Sequence, residues 1–85
     1  MIIFTKHARD KFKILKRHKF LVAERQVLET IESPDIIDNS RRPLLIAQRK
    51  IDRIHVLRVV YKKENGTIKI ITFYPGRIKH YDPSI

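Results

Sequence analysis

The sequence predicts an α+β domain in which two N-terminal helices pack on one face of a three- to four-stranded antiparallel sheet. Three observations carry this. Apolar residues recur at helical spacing within residues 5–33. Three strand-like runs then follow, "LLIAQRKI" (44–51), "IHVLRVVYK" (54–62) and "TIKIITFY" (67–74). Between the last two stands Asn65-Gly66, the strongest short hairpin signal, because a type I′ turn needs positive φ at both central residues. Helices first and strands afterwards bury their apolar sides as two layers, with the helices on one side of the sheet.

Taken in order, "IIF" (2–4) is a short apolar lead-in, an edge strand at most. Thr5 can cap the first helix, whose Ala8, Phe12 and Leu15 form an apolar stripe with Arg9, Lys13 and Lys16 opposite. A second helix runs from about Ala23 to Ser33, with Val27, Leu28 and Ile31 inward and Glu24 near its positive end. Pro34 stops it. "DIIDNSRRP" (35–43) reads as a loop holding at most a short strand at Ile36-Ile37. With the turn at Asn65-Gly66, an unbroken ladder places Tyr61 opposite Ile70, Val59 opposite Thr72, Arg58 opposite Phe73 and Leu57 opposite Tyr74. Pro75-Gly76 breaks the last strand, and "RIKHY" (77–81) adds an extended tail or a final strand. Both sheet faces come out largely apolar, so the pattern does not say which one the helices cover.

At 85 residues the chain is one domain, 1–85, with a single core drawn from its 42% apolar residues. It contains no cysteine, which suits a reducing compartment. No stretch approaches the roughly 18 consecutive apolar residues of a membrane span. "MIIFTKHARDKF" places its apolar piece before its charges, the reverse of a secretion signal. The expectation is a cytoplasmic protein with no membrane partner.

The formal net charge of +10, from 19 basic against 9 acidic residues, predicts attraction to nucleic acid or to an acidic protein. The charge is uneven. Residues 1–20 carry Lys6, Arg9, Lys11, Lys13, Lys16, Arg17 and Lys19 against Asp10. Residues 41–63 carry Arg41, Arg42, Arg49, Lys50, Arg53, Arg58, Lys62 and Lys63 against Asp52. The acids Glu24, Glu29, Glu32, Asp35 and Asp38 gather on the second helix and its exit. The expected RNA contacts are therefore Lys6, Arg9, Lys13 and Lys16 on the first helix, Arg41, Arg42, Arg49 and Lys50 around the third run, and Lys79 in the tail.

The inventory excludes several chemistries. There is no cysteine, no H-E-x-x-H and no histidine pair at helical ligand spacing, so no metal centre is expected. Gly66 and Gly76 are the only glycines, which rules out a glycine-rich nucleotide loop, and no small-molecule cofactor is expected. Ser33, Ser40 and Ser84 fall in loops or the tail, and the carboxylates serve caps and solvated faces. What remains is RNA cleavage by its own 2′-hydroxyl, which needs a base, an acid and a cation to steady the charge on phosphorus. Arginine grips phosphate bidentately, histidine moves protons near neutral pH, and tyrosine stacks on a base or holds a proton. Arg58, Arg77, His80 and Tyr81 supply those types. Arg58, set among valines, needs a partner: an acid such as Asp35 or Glu32, or a substrate phosphate. His18 and His55 read as surface residues.

The stretches "TKHAR" (5–9), "HVLRVVY" (55–61) and "ITFYPGRIKHY" (71–81) also carry a likeness. The chain resembles the RelE/ParE toxin superfamily over nearly its whole length in order of elements. That resemblance implies a RelE-like fold and a messenger-RNA endonuclease, often dependent on the ribosome, silenced by an acidic antitoxin protein. In active members an arginine followed shortly by "HY" provides the acid and the base-stacking group, with another arginine inside a strand. Arg77, His80, Tyr81 and Arg58 stand at the comparable places. Related metal-independent ribonucleases use a helix histidine, which makes His7 the alternative to His80 as the proton carrier. Two further readings stay open. One is a non-catalytic basic module for RNA or protein, or a degenerate toxin; the other is a ParE-like protein that targets gyrase.

Overall fold

The computed structural model describes residues 1–78, in the order β1 (Ile2–Phe4), α1 (Lys6–Arg17), α2 (Glu24–Glu32), β2 (Ile36–Arg41), β3 (Leu44–Lys50), β4 (His55–Glu64) and β5 (Thr67–Arg77). The strands form one sheet in the spatial order β1-β5-β4-β3-β2. β1 runs parallel to β5, and every other neighbouring pair is antiparallel. The expected sheet of three or four antiparallel strands is thereby corrected to five strands of mixed direction. Both additions are edge strands. β1 is three residues long, too short to show a period, and it joins because Ile2 and Phe4 pack against the core. β2 was expected as a loop because Asp38-Asn39-Ser40 is polar. On an edge a strand is hydrogen-bonded on one side only, so polar residues are tolerated there. Its ladder is interrupted between Asp38 and Arg41.

The helices begin and end for local reasons. The Thr5 hydroxyl accepts from the Ala8 N–H at 3.2 Å, capping α1. At the other end Lys19 adopts φ 61, and the Lys19 and Phe20 N–H groups donate back to the Lys16 and Leu15 carbonyls at 2.9 Å each. That is a left-handed Schellman stop made without glycine. α2 starts at Ala23, which has no capping oxygen. Its N–H donates instead to the Gln26 side chain at 2.9 Å, half of a capping box.

Both helices lie on the same side of the sheet. Ala8 and Leu15 of α1 and Val27 of α2 meet Ala47, Leu57, Val59, Tyr61, Ile70 and Phe73. Phe12 bridges the layers, its ring centroid 4.6 Å from Phe73 and 5.9 Å from Phe4. On α2 the buried partner of Val27 is Thr30, whose hydroxyl donates to the Gln26 carbonyl at 2.7 Å. Leu28 is only half-buried.

The hairpin turn forms at Asn65 (φ 48) and Gly66 (φ 81), and Tyr61 pairs with Ile70. The unbroken ladder expected beyond it does not hold. Val60 pairs with Thr72, so Ile71 is an extra residue, and from there Val59 faces Phe73, Arg58 faces Tyr74 and Leu57 faces Pro75. One inserted residue moves everything after it to the other side of the sheet. Phe73 therefore enters the core, while Thr72 and Tyr74 join Arg58. Thr5 ties this bulge to the start of α1, since its hydroxyl also donates to the carbonyls of Ile70 and Ile71 at 3.0 and 3.2 Å.

Pro75-Gly76 does not break the last strand. β5 continues to Arg77, with Gly76 opposite Val56 and Arg77 opposite His55. β1 pairs with β5 at Ile68 to Ile70. Pro75 thus stands where β5 has a neighbour on one side, and its missing N–H breaks no ladder bond there. No helix among the described residues is long and apolar enough to cross a membrane.

Candidate functional site

Strand alternation places Ile46, Gln48, Val56, Arg58, Val60, Thr72 and Tyr74 on the sheet face away from the helices. Arg58 is at its middle, flanked across the strands by Gln48 on β3 and Tyr74 on β5. All three are half-buried, while Val56 and Ile46 are buried. Gly76 makes room for the arginine: a Cβ there would sit 3.4 Å from Arg58 Nε and 3.5 Å from a Val56 methyl. The Thr72 hydroxyl is buried on this face and has no hydrogen-bond partner among the described residues.

An acid on this face whose carboxyl feels the charge of Arg58 is Asp38, the neighbour of Ile46 on β2. The Ser40 N–H, donating at 2.9 Å, chiefly holds its carboxyl below the usual range, with lesser help from the Ser40 hydroxyl and the charges of Arg41 and Arg58. The acids expected beside Arg58 are placed elsewhere. Asp35 accepts from the Lys50 N–H at 2.9 Å along the β2–β3 edge, and Glu32 belongs to α2 across the sheet.

The expected RNA-binding residues are scattered around the molecule. Lys6, His7, Arg9, Lys13 and Lys16 are exposed on α1, on the opposite side of the sheet from Arg58. His7 and Arg58 are therefore not brought together. Lys6 reaches Asp10 at 3.6 Å, and the Arg9 guanidinium stands 5.7 Å from the Phe4 ring centroid. Arg41 and Arg42 are exposed at the β2–β3 turn, and Lys50 is exposed at the end of β3. Arg49 is otherwise engaged, since its Nη1 donates to the Ser33 carbonyl at the C-terminal end of α2. Lys79, His80 and Tyr81 lie outside the described residues.

A second group gathers where β4 begins and β5 ends. Arg77 faces His55 across the ladder, and alternation along β5 puts it on the opposite side from Arg58's neighbour Tyr74. Arg77, Arg53, Ile54 and Ile78 line a cavity of about 300 Å³. The turn beside it is built by one carboxylate. Asp52 Oδ1 accepts from the N–H groups of Ile54 and His55 at 2.8 and 2.7 Å, and the His55 Nδ1 lies 3.0 Å from Asp52 Oδ2. The Ile54 N–H foremost, with the His55 ring and N–H, holds the Asp52 carboxyl below its usual range. The His55 ring stands edge-on to Phe20, 4.9 Å between centroids. Sequence reasoning left His55 on the surface. The signal for it was Asp52 three residues earlier, at the turn that starts the strand.

Among the described residues no three histidine, aspartate or glutamate side chains gather as a metal site. Compared with family models, with curated proteins and with solved structures, the chain finds no match.

Proposed function

We propose that this protein binds RNA and cuts it without a metal, as the toxin of a toxin–antitoxin pair of the RelE kind, held in check by an acidic partner protein. The observation that supports it best is the state of its cations. Among the described residues the lysines in ion pairs are Lys6, Lys62 and Lys69, and neither Arg53 nor Arg77 is ion-paired. An excess of +10 that is not neutralised internally is a field for a polyanion. Cleavage then uses the RNA's own 2′-hydroxyl, with arginine steadying the phosphate.

The test is incubation of the protein with messenger RNA in EDTA, with and without ribosomes. Cleavage that survives EDTA and is lost in Arg77→Ala supports the proposal. Cleavage that depends on added divalent metal, or no affinity for RNA at low salt, overturns it. RNA affinity should also fall steeply with salt, because each neutralised phosphate releases a counterion. A second reading, a basic binding module without catalysis, is favoured by one fact: Arg58 and Arg77 stand on opposite faces of the sheet. Binding without cleavage in every setting is its signature.

A further inference from the structure

The cavity at the β4–β5 end has the makings of a phosphate seat. Two arginines, Arg53 and Arg77, line it with Ile54 and Ile78. Ile54 is 53% exposed, which is unusual for an isoleucine and leaves an apolar wall beside the two charges. A nucleotide carries this pair of properties, an anionic phosphodiester next to a flat apolar base.

The neighbouring histidine is oriented. His55 directly follows the Arg53-Ile54 wall and pairs with Arg77, at a separation where Cβ atoms of opposed residues are about 4.5–5.5 Å apart. Its Nδ1 lies 3.1 and 3.0 Å from the two oxygens of Asp52. Asp52 is itself fixed by the N–H groups of Ile54 and His55. With Nδ1 donating to the carboxylate, the neutral ring carries its lone pair on Nε2. Nε2 makes no hydrogen bond among the described residues, and the Phe20 ring packs perpendicular to the imidazole. The charged groups set against His55 are Asp52 from the turn and Arg77 from β5, while the contact from the α1–α2 connection is the uncharged Phe20.

We infer that Arg53 and Arg77 seat an RNA phosphodiester in this cavity and that His55, oriented by Asp52, is the base that starts its cleavage. The inference rests on the RNA-cleaving reading above and moves its proton carrier from His80 or His7 to His55 at the start of β4. His55 Nε2 takes the proton of the 2′-hydroxyl. The freed oxygen forms a bond to phosphorus as the bond from phosphorus to the 5′-oxygen breaks, giving a 2′,3′-cyclic phosphate. The departing 5′-oxygen takes a proton from water, and the imidazolium returns one to solvent, so no proton is gained or lost. His55 is the catalytic residue here, Arg53 and Arg77 bind, and Asp52 is a positioning residue.

The experiment uses the full chain with a mixed-sequence single-stranded RNA and the DNA of the same sequence, which binds but has no 2′-hydroxyl. His55→Gln should lose RNA cleavage by about 100-fold or more, the usual scale for a general base. It should bind the DNA as the wild type does, with a circular dichroism spectrum and melting transition like the wild type's to show that the variant is folded. Arg53→Gln and Arg77→Gln should weaken DNA binding. Asp52→Asn, in which the amide oxygen can still accept from the turn, should displace the acid limb of the pH–rate profile, an effect that a purely structural role would not produce. Cleavage by His55→Gln at the wild-type rate overturns the inference and leaves the RNA-cleaving reading standing. A wild type that binds both strands and cleaves neither overturns both, and unchanged DNA binding by both arginine variants removes the cavity from the account.

Discussion

At the scale of single residues, the second sheet face holds one side chain that works against stability. The Thr72 hydroxyl is buried with no partner among the described residues, and a buried unsatisfied hydroxyl carries its full desolvation cost. Thr72→Val keeps the shape and removes the polar atom. It should raise the free energy of unfolding by about 1 kcal/mol, measured by urea denaturation. Arg58 beside it was expected among valines with an acid or a phosphate as partner. The valines are there, but the acid that feels its charge is Asp38, which shares its face only because residues 36–41 pair as a strand. His55 shows the reverse. Its chemistry lies in a contact with Asp52 that any reader could have placed three residues away, but a turn tight enough to close it has no composition of its own.

At the scale of elements, Thr5 is the pivot. One side chain caps α1 and also bonds the carbonyls of Ile70 and Ile71 at the bulge in β5. Thr5→Ala should cost about 1–2 kcal/mol in thermal or urea unfolding, the upper part of the range for a lost cap, with Thr5→Ser recovering most of it. The same spot marks the limit of what the residues disclose. The turn at Asn65-Gly66 was legible because it depends on two adjacent residues with positive φ. The stripe of Ala8, Phe12 and Leu15 was legible because α-helical spacing repeats. The extra residue at Ile71 was not, since Ile70-Ile71 reads equally well in either register, and the choice is made by Phe73 filling the core. That slip exchanged the neighbour of Arg58 from Phe73 to Tyr74. Continuation through Pro75-Gly76 was hidden for a similar reason: whether proline ends a strand depends on which edges are free.

At the scale of the whole molecule, pH should act through few groups. Asp38, Asp52 and Glu64 have carboxyls lowered in the folded state, the first two mainly by backbone N–H groups and Glu64 mainly by Lys69. The unfolded chain binds protons first as pH falls. Their contribution is therefore complete above the ordinary values of 3.8 and 4.5 and is lost on acidification through the lower folded values. Burial raises the Tyr61 phenol, so at the alkaline end the unfolded chain ionises first and stability declines above about pH 10. Melting followed by circular dichroism across pH should show both limbs, and Asp52→Asn should shorten the acid one.

The parallel pairing of β1 with β5 has a consequence for how the molecule is born. The hydroxyl of Thr5 finds its acceptor 65 positions downstream, and Ile2 to Phe4 line up with Ile68 to Ile70. At a synthesis rate of roughly 5–20 residues per second, the amino end waits about 3–13 s for its partner. Throughout that interval the apolar side of α1 has no completed sheet to lie on, and it stays uncovered until the final hairpin emerges.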